Sequence, residues 1–341
     1  MNAPHAVGWT RRAFLGGVTL AGTAGLLSWH SRPVAAEPPP ETTTLRLAHT
    51  PSICVAPYYV AEALLHTEGF TDIRYIPLAS DVAAVQALAT GELDFNVYSA
   101  SQAATRLDAG DPLLLVAGLH VGCYELFGTD RVHTIRDLKG KTVALPQPLG
   151  SASHVLLASM AAYVGLAPHR DIHWVIHPPA EAIRLLAEGQ IDAYLAFPPE
   201  PQELRAKHIG HVVVNTGTDR PWSQYFCCML GGRRAFVQQY PIATKRWLRT
   251  VLKAADLCAQ EPDRAARLLA EKGYTPRYDY ALQSLQAITY RQWREYDPED
   301  SMRFFALRLH EIGMIKSSPQ KLIAQGTDWR FINELKKELK G

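Results

Sequence analysis

From Thr44 onward the chain alternates between short apolar runs and longer stretches whose apolar residues recur at helical spacing. "TLRLAHT" (Thr44–Thr50) reads as a strand. "PSICVAP" breaks it, and Pro57 opens a predicted helix over Tyr58–His66. "TDIRYIPLA" (Thr71–Ala79) is a second strand. Asp81 caps a predicted helix from Val82 to Thr90, with Val82, Val85, Leu88 and Ala89 on one face and Gly91 as its stop. "LDFNVYS" is a third strand, "ASQAATRLDAG" a helix closed by Gly110, and "PLLLVAGL" (Pro112–Leu119) a continuous apolar run suited to a buried strand.

The same alternation then restarts. "TIRDLKGKTVALP" (Thr134–Pro146) reads as a helical turn, a Gly stop and a strand. "GSASHVLLASMAAYVGL" is a helix, "DIHWVIHP" a strand, "AEAIRLLAEG" a helix and "IDAYLAFP" a strand. From Pro241 the pattern is almost wholly helical. Two strand–helix series followed by a helical tail predict an α/β protein of two lobes, each built on a mostly parallel sheet flanked by helices. A chain of 341 residues, longer than one hydrophobic core usually serves, points the same way.

One phrase occurs in both series: "LATGELDF" (Leu88–Phe95) and "LAEGQIDA" (Leu186–Ala193). In each it covers a helix end, a glycine turn and the start of a strand. The Leu is expected to pack the helix on its sheet. Asp94 and Asp192 are expected to be structural, reaching solvent or turn amides, rather than catalytic.

The N-terminus changes the picture of charge. "TRRAFLGG" (Thr10–Gly17) sets paired arginines before an apolar run, Ala13 to Leu27, and "RPVAA" (Arg32–Ala36) offers small residues for cleavage after Ala36. Residues 1–36 therefore read as an export signal of twin-arginine type, with Thr10 and Gly16 departing from the usual pattern, followed by a Pro-rich linker over 37–42. Three of the 35 basic residues and none of the 33 acids fall in 1–36, so the mature chain carries −1 rather than the precursor's +2. That balance gives a nucleic-acid partner no support. Beyond the signal no run approaches the roughly 18 apolar residues of a membrane span. There is no nucleophile elbow, Walker loop or dinucleotide fingerprint.

Several stretches carry a family likeness: "LRLAHTPSICVAPYYVAEALLHTEGF", "ALATGELDF", "IRDLKGKTVALPQPLGSASHVLLASMAAYVGL", "LLAEGQIDAYLAF" and "IGMIKSSP…GTDWRFINEL". Together they resemble the solute-binding components of ABC importers, in the branch of the nitrate, taurine and alkanesulfonate binding proteins, which shares a domain with the thiamine-pyrimidine-precursor proteins. The resemblance covers essentially the whole mature chain. It implies a two-lobed periplasmic-binding-protein fold of type II, with lobe 1 formed by 43–121 and 229–341 and lobe 2 by 122–228. The crossovers would fall near His120–Leu126 and Gln224–Leu230, with the ligand in the cleft at the C-terminal ends of the strands.

On that frame the segments expected to face the cleft supply Ser52 and Tyr58, Ser99 and Ser101, Gly150, Ser151 and Ser153, and Phe197 with Glu200 nearby. His120, Cys123 and Gln224 are expected from the crossovers. Two serine-flanked helix starts would suit an anionic head, although each serine taken alone reads as an ordinary N-cap. Tyr58, Tyr98, Tyr124, Phe197, Trp222 and Tyr225 are available to enclose a flat heterocycle or the tail of a sulfonate. The expected ligand is thus a small organic anion, sulfonate- or nitrate-like, or a small heterocycle.

The implied crossovers also place Cys54, Cys123, Cys227 and Cys228 near the cleft, with Cys258 on a distal helix. Three readings stand open: packing as small apolar residues, a disulfide of Cys123 with Cys227 or Cys228, or a soft-metal or thiol-reactive site helped by His49, His120 and His154. No C-x-x-C or zinc-type spacing supports the last. The yeast-type pyrimidine-precursor synthases of the superfamily carry a Cys-Cys-Cys-Phe-Cys cluster, of which "FCCM" (Phe226–Met229) is a fragment.

The resulting expectation is a periplasmic, monomeric solute-binding component that closes its lobes on a ligand. It would have no catalytic residue, metal or cofactor of its own. Its partners would be the small-molecule ligand and the importer's permease and ATPase subunits, with the membrane met only through the permease. The alternative is a periplasmic enzyme or thiol/metal-dependent protein using the Cys227-Cys228 pair. A sensor presenting the same clamp to a receptor is a third possibility.

Overall fold

The computed structural model describes residues 37–49, 52–78 and 81–340, with side chains for all of these except 81, 82 and 85. The predicted export signal over 1–36 lies outside the described residues. The strands in chain order are β1 (Thr44–His49), β2 (Asp72–Pro77), β3 (Phe95–Ser99), β4 (Leu113–Val121), β5 (Glu125–Gly128), β6 (Lys141–Leu145), β7 (Ile172–Ile176), β8 (Ala193–Ala196), β9 (His211–Asn215) and β10 (Phe226–Arg233). They form two five-stranded sheets, ordered β2-β1-β3-β10-β4 and β7-β6-β8-β5-β9.

The two orders are one plan used twice. In each sheet the first three strands of the local series pair in parallel, β2-β1-β3 and β7-β6-β8. Beyond these parallel trios the sheets are mixed: β10 runs antiparallel to β3 and β4, and β5 antiparallel to β8 and β9. Those are the strands by which the chain arrives from the other sheet. A strand that enters without a crossover helix comes from the opposite end and pairs antiparallel.

The helices that matter for the site are α1 (Asp81–Thr90), α2 (Ala100–Asp108), α3 (Ala152–Tyr163), α4 (Pro179–Ala187) and α5 (Pro241–Gln260). Helix α1 buries Ala84, Ala87 and Leu88, while Ala89, expected on the same face, is exposed. The helical tail covers the first sheet. Trp247 of α5 is fully buried and stacks on Phe95 of β3 with ring centroids 3.8 Å apart.

Both copies of the repeated phrase do the same mechanical job. Gly91 and Gly189 take φ of +82° and +68°, the left-handed backbone that favours glycine at a helix stop. At the second copy Gly189 and Gln190 donate to the carbonyls of Leu186 and Leu185, closing α4 with a Schellman pair of bonds. Leu88 and Leu186 are buried, each contributing about 1.5–3 kcal/mol of apolar burial. The following Asp then binds the middle strand of its parallel trio, β1 or β6. Asp94 Oδ2 accepts the Arg46 N–H at 2.9 Å, and Asp192 Oδ2 accepts the Thr142 N–H at 2.8 Å. The carboxylates therefore serve strand amides, not the solvent that the sequence reading also allowed.

Candidate functional site

A cavity of about 90 Å³ opens between the ends of the two sheets. Its walls come from the segment after β1 (Ser52, Cys54, Val55), from β3 and the start of α2 (Val97, Tyr98, Ser99, Gln102), and from Cys228 of β10. Opposite them stand Gln147, Ala152, Ser153 and Phe197 of the second series, with Cys123 and Tyr124 where the chain first passes between the sheets. A single water needs about 10–15 Å³, so the cavity suits a ligand of a handful of heavy atoms.

The two helix starts are matched. Ser99 precedes α2 and Ser151 precedes α3, and neither hydroxyl makes the side-chain cap bond that would have explained it. Instead Ser99 Oγ lies 3.0 Å from Ser101 Oγ, and Ser151 Oγ lies 3.2 Å from Ser153 Oγ. One member of each pair, Ser99 and Ser153, reaches the cavity. The uncapped N-terminal amides of α2 and α3 leave partial positive charge at these helix starts.

Of the residues expected to line the site, Ser52, Ser99, Cys123, Ser153 and Phe197 do so. Ser101 and Ser151 stand behind their partners. Tyr58 does not reach the cavity: its buried hydroxyl accepts the Ala48 N–H at 3.2 Å and donates to the Phe95 carbonyl at 2.9 Å, tying β1 to β3. Gly150 is exposed, with φ +89° and its N–H donated to His154 Nδ1 at 3.0 Å. Gln224 is also exposed and outside the lining, because it closes a 3-10 turn, Trp222–Gln224, on the surface. Trp222 and Tyr225 pack on Phe304 rather than on the cavity. Glu200 lies behind the wall, where its Oε2 accepts the Tyr194 hydroxyl at 2.6 Å and the Phe197 N–H at 3.2 Å. Burial pushes its carboxyl up to about 7, with those two donors holding it partly back.

The crossover is built tightly. Gly122 has φ +56°, and a Cβ there would meet the Gly217 backbone at 2.2 Å, so only glycine lets the two passing chains touch. Thr216 Oγ1 then accepts the N–H groups of Cys123 (3.3 Å) and Tyr124 (3.1 Å) and donates to the Tyr124 carbonyl (2.8 Å).

Sequence spacing missed what this brings together. The β10 register sets Cys228 opposite both Ser99 of β3 and His120 of β4, and irregularities beside Cys228 break the alternation that would send Cys227 and Cys228 to opposite faces. Cys54, His120, Cys123 and Cys228 consequently hold their ligating atoms within 4.8 Å of one another, all four residues buried. Cys227 Sγ sits 3.4 Å from Cys123 Sγ, and Ser52 Oγ 3.1 Å from Cys54 Sγ. Neither nitrogen of the fully buried His120 ring has a hydrogen-bond partner. Burial works against the charged imidazole, but the sulfurs of Cys228 and Cys54 outweigh it and raise His120 to about 10. The Cys123 thiol holds Cys227 down at about 6, and Cys228 is held below the usual thiol range by Cys123. His49 and His154 take no part: His49 packs on Tyr274 with centroids 5.4 Å apart, and His154 on Trp174 at 5.0 Å. Cys258 is buried in α5 outside the cluster.

A family model described as the NMT1-like family matches residues 38–271. The bicarbonate-binding protein CmpA of Synechococcus elongatus is 28% identical over 112 residues, 32% of this chain and 24% of that protein. This match spans about a quarter of the length of the curated relatives. Among solved structures, the periplasmic nitrate-binding protein NrtA from Synechocystis PCC 6803 superposes with a TM-score of 0.73 at 18% identity, covering 89% of this chain and 90% of that one. The alkanesulfonate-binding protein SsuA from Xanthomonas axonopodis pv. citri, bound to MOPS, gives 0.66 at 19% identity, covering 86% and 100%. The fold shared with them is the two-lobed periplasmic-binding-protein fold.

Proposed function

Because this chain belongs to the NMT1-like family, we propose that it is the extracytoplasmic solute-binding component of an ABC importer and captures a small oxyanion by lobe closure. The observation that carries this reading is the cavity lined by Ser99 and Ser153, at two helix N-termini whose serine hydroxyls are not used as caps. Backbone amides and dipole ends aimed at one small space favour negative charge. The proteins it resembles are named for bicarbonate, nitrate and alkanesulfonate, all oxyanions. The cavity of about 90 Å³ favours the smaller of these.

Lobe 1 would comprise 43–121 with 229–341 and lobe 2 residues 122–228, turning about the two crossovers near His120–Leu126 and Gln224–Leu230. The closed form is what a permease would recognise. No helix among the described residues is long and apolar enough to cross a membrane. Export by the twin-arginine route is read from Arg11 and Arg12.

Calorimetry of the mature protein against bicarbonate, nitrate, taurine and short alkanesulfonates tests the reading. One of the small oxyanions is expected to bind, with a rise in Tm. A protein that binds none of the panel is not an oxyanion carrier.

A further inference from the structure

The four donor groups at the cavity floor have a second use that the capture of an oxyanion does not require. We propose that Cys54, His120, Cys123 and Cys228 form a Cys₃His site for one Zn²⁺.

Three observations carry this. The ligating atoms lie within 4.8 Å of one another. Zinc bonds of about 2.3 Å to sulfur and 2.0–2.1 Å to nitrogen place donors about 3.5–3.8 Å apart on a tetrahedron, so side-chain adjustments of about 1 Å complete the shell. The imidazole is fully buried and unpartnered, a state that costs free energy unless something occupies it. Finally, the donors come from the segment after β1, the end of β4, the crossover and β10. Three separate pieces of backbone converge, with His120 and Cys123 three residues apart on one of them.

Access is provided, since Cys54, Cys123 and Cys228 line the cavity while His120 stands behind them. On binding, the three sulfurs and the imidazole release the protons they hold to solvent through that opening, and the imidazole, then neutral, coordinates through one ring nitrogen. Three thiolates and one Zn²⁺ leave a net charge of −1 at the floor. Cys227 stays outside the shell, against Cys123.

The site is tested on the full chain, reduced and freed of metal, titrated with Zn²⁺ against a chromophoric chelator. The expected result is one Zn²⁺ per chain, with an X-ray absorption spectrum of three sulfur and one nitrogen ligands. Cys228→Ser and His120→Ala should each weaken binding at least about 100-fold, as loss of a direct ligand exceeds the 10–100-fold typical of supporting groups. Cys258→Ser should bind as the wild type does, and Cys227→Ser, which removes a sulfur 3.4 Å from that of Cys123, should lose less than the ligand variants do. The absorption spectrum is taken on the wild type, so it decides the matter even if a variant fails to fold. Absence of Zn²⁺ binding, fewer than three sulfur ligands, or variants that bind undiminished would overturn the proposal. So would a preference for Cu⁺ with sulfur-only ligation. No oxyanion enters the titration, so its outcome is separate from that of the solute panel.

Discussion

Asp94 and Asp192 stand at the same point of two sheets laid out in the same strand order, and their backbone bonds correspond one for one. Each donates its N–H to the middle strand of its parallel trio, to the carbonyls of Arg46 on β1 and Thr142 on β6, both at 2.8 Å. Each carbonyl accepts from the strand that arrives from the other sheet or the residue after it, Arg233 at 2.8 Å and Thr129 at 2.9 Å. The carboxylates diverge at the second oxygen. Asp94 is 1% exposed and takes the Arg46 guanidinium, on the strand it already binds, at 2.6 Å. Asp192 is 14% exposed and takes Arg131, half in solvent at 49%, from a loop. The shared part is what the strand order needs, and the arginine is an addition whose worth depends on water.

That contrast sets the largest expected effect. Asp94→Ala removes a buried carboxylate that the Arg46 amide and guanidinium both bind, a loss of about 3 kcal/mol, the low end for a broken buried pair because Arg46 is itself one-third exposed. Asp192→Ala loses the matching amide bond, but Arg131 turns to water, so about 1–2 kcal/mol is expected. Urea unfolding of both variants checks the order. Equal losses would break the comparison and make the backbone bond alone responsible.

The second lobe also holds a carboxyl of another kind. Glu200 is met by the Tyr194 hydroxyl and the Phe197 amide, and burial lifts it from 4.5 to about 7. Between those values the folded chain keeps a proton that the unfolded chain has released, so stability falls as pH rises. The contribution is complete below about 4.5 and lost as pH passes about 7. Glu200→Gln, which imitates the protonated form, should match the wild type at pH 4.5 and exceed it by about 2–3 kcal/mol at pH 8. Unfolding midpoints across that range measure it. A variant that is less stable at pH 8 would show that the carboxylate is favoured there and the sign is wrong.

Much of this architecture was legible. The alternation of periods gives six of the strands that build the parallel parts of the sheets, and the repeated Leu-Ala-x-Gly-x-aliphatic-Asp phrase marks the centre of each. The arriving strands were harder. β5 is only "ELFG", four residues with no alternation, and pairs with strands that come much later. At the site, Ser99 and Phe197 follow from standing at strand ends, and Ser153 from opening a helix. Tyr58 looked equally well placed, but its direction depends on hydrogen bonds to Ala48 and Phe95 that no local pattern encodes. The thiol and imidazole cluster was invisible to spacing because register and irregular pairing of β10, not sequence distance, bring Cys228 to His120.

The serine pairs carry the comparison into binding. Ser99 belongs to the first sheet's helix start and Ser153 to the second's, and both face the cavity across from one another's lobes. If an oxyanion accepts a hydroxyl bond from each, Ser99→Ala and Ser153→Ala should each raise Kd about 3–10-fold, the worth of one hydrogen bond. Lobe closure makes their kinetics differ. The lobe that meets the solute first governs capture, while the one that swings over it governs release, and most affinity differences reside in release. With lobe 1 as the first contact, Ser99→Ala slows association and Ser153→Ala speeds dissociation, which stopped-flow fluorescence on the tyrosine-lined pocket resolves. Two variants that change the same rate constant by the same factor would mean that both serines grip the ligand together, in a cleft that does not close in two steps.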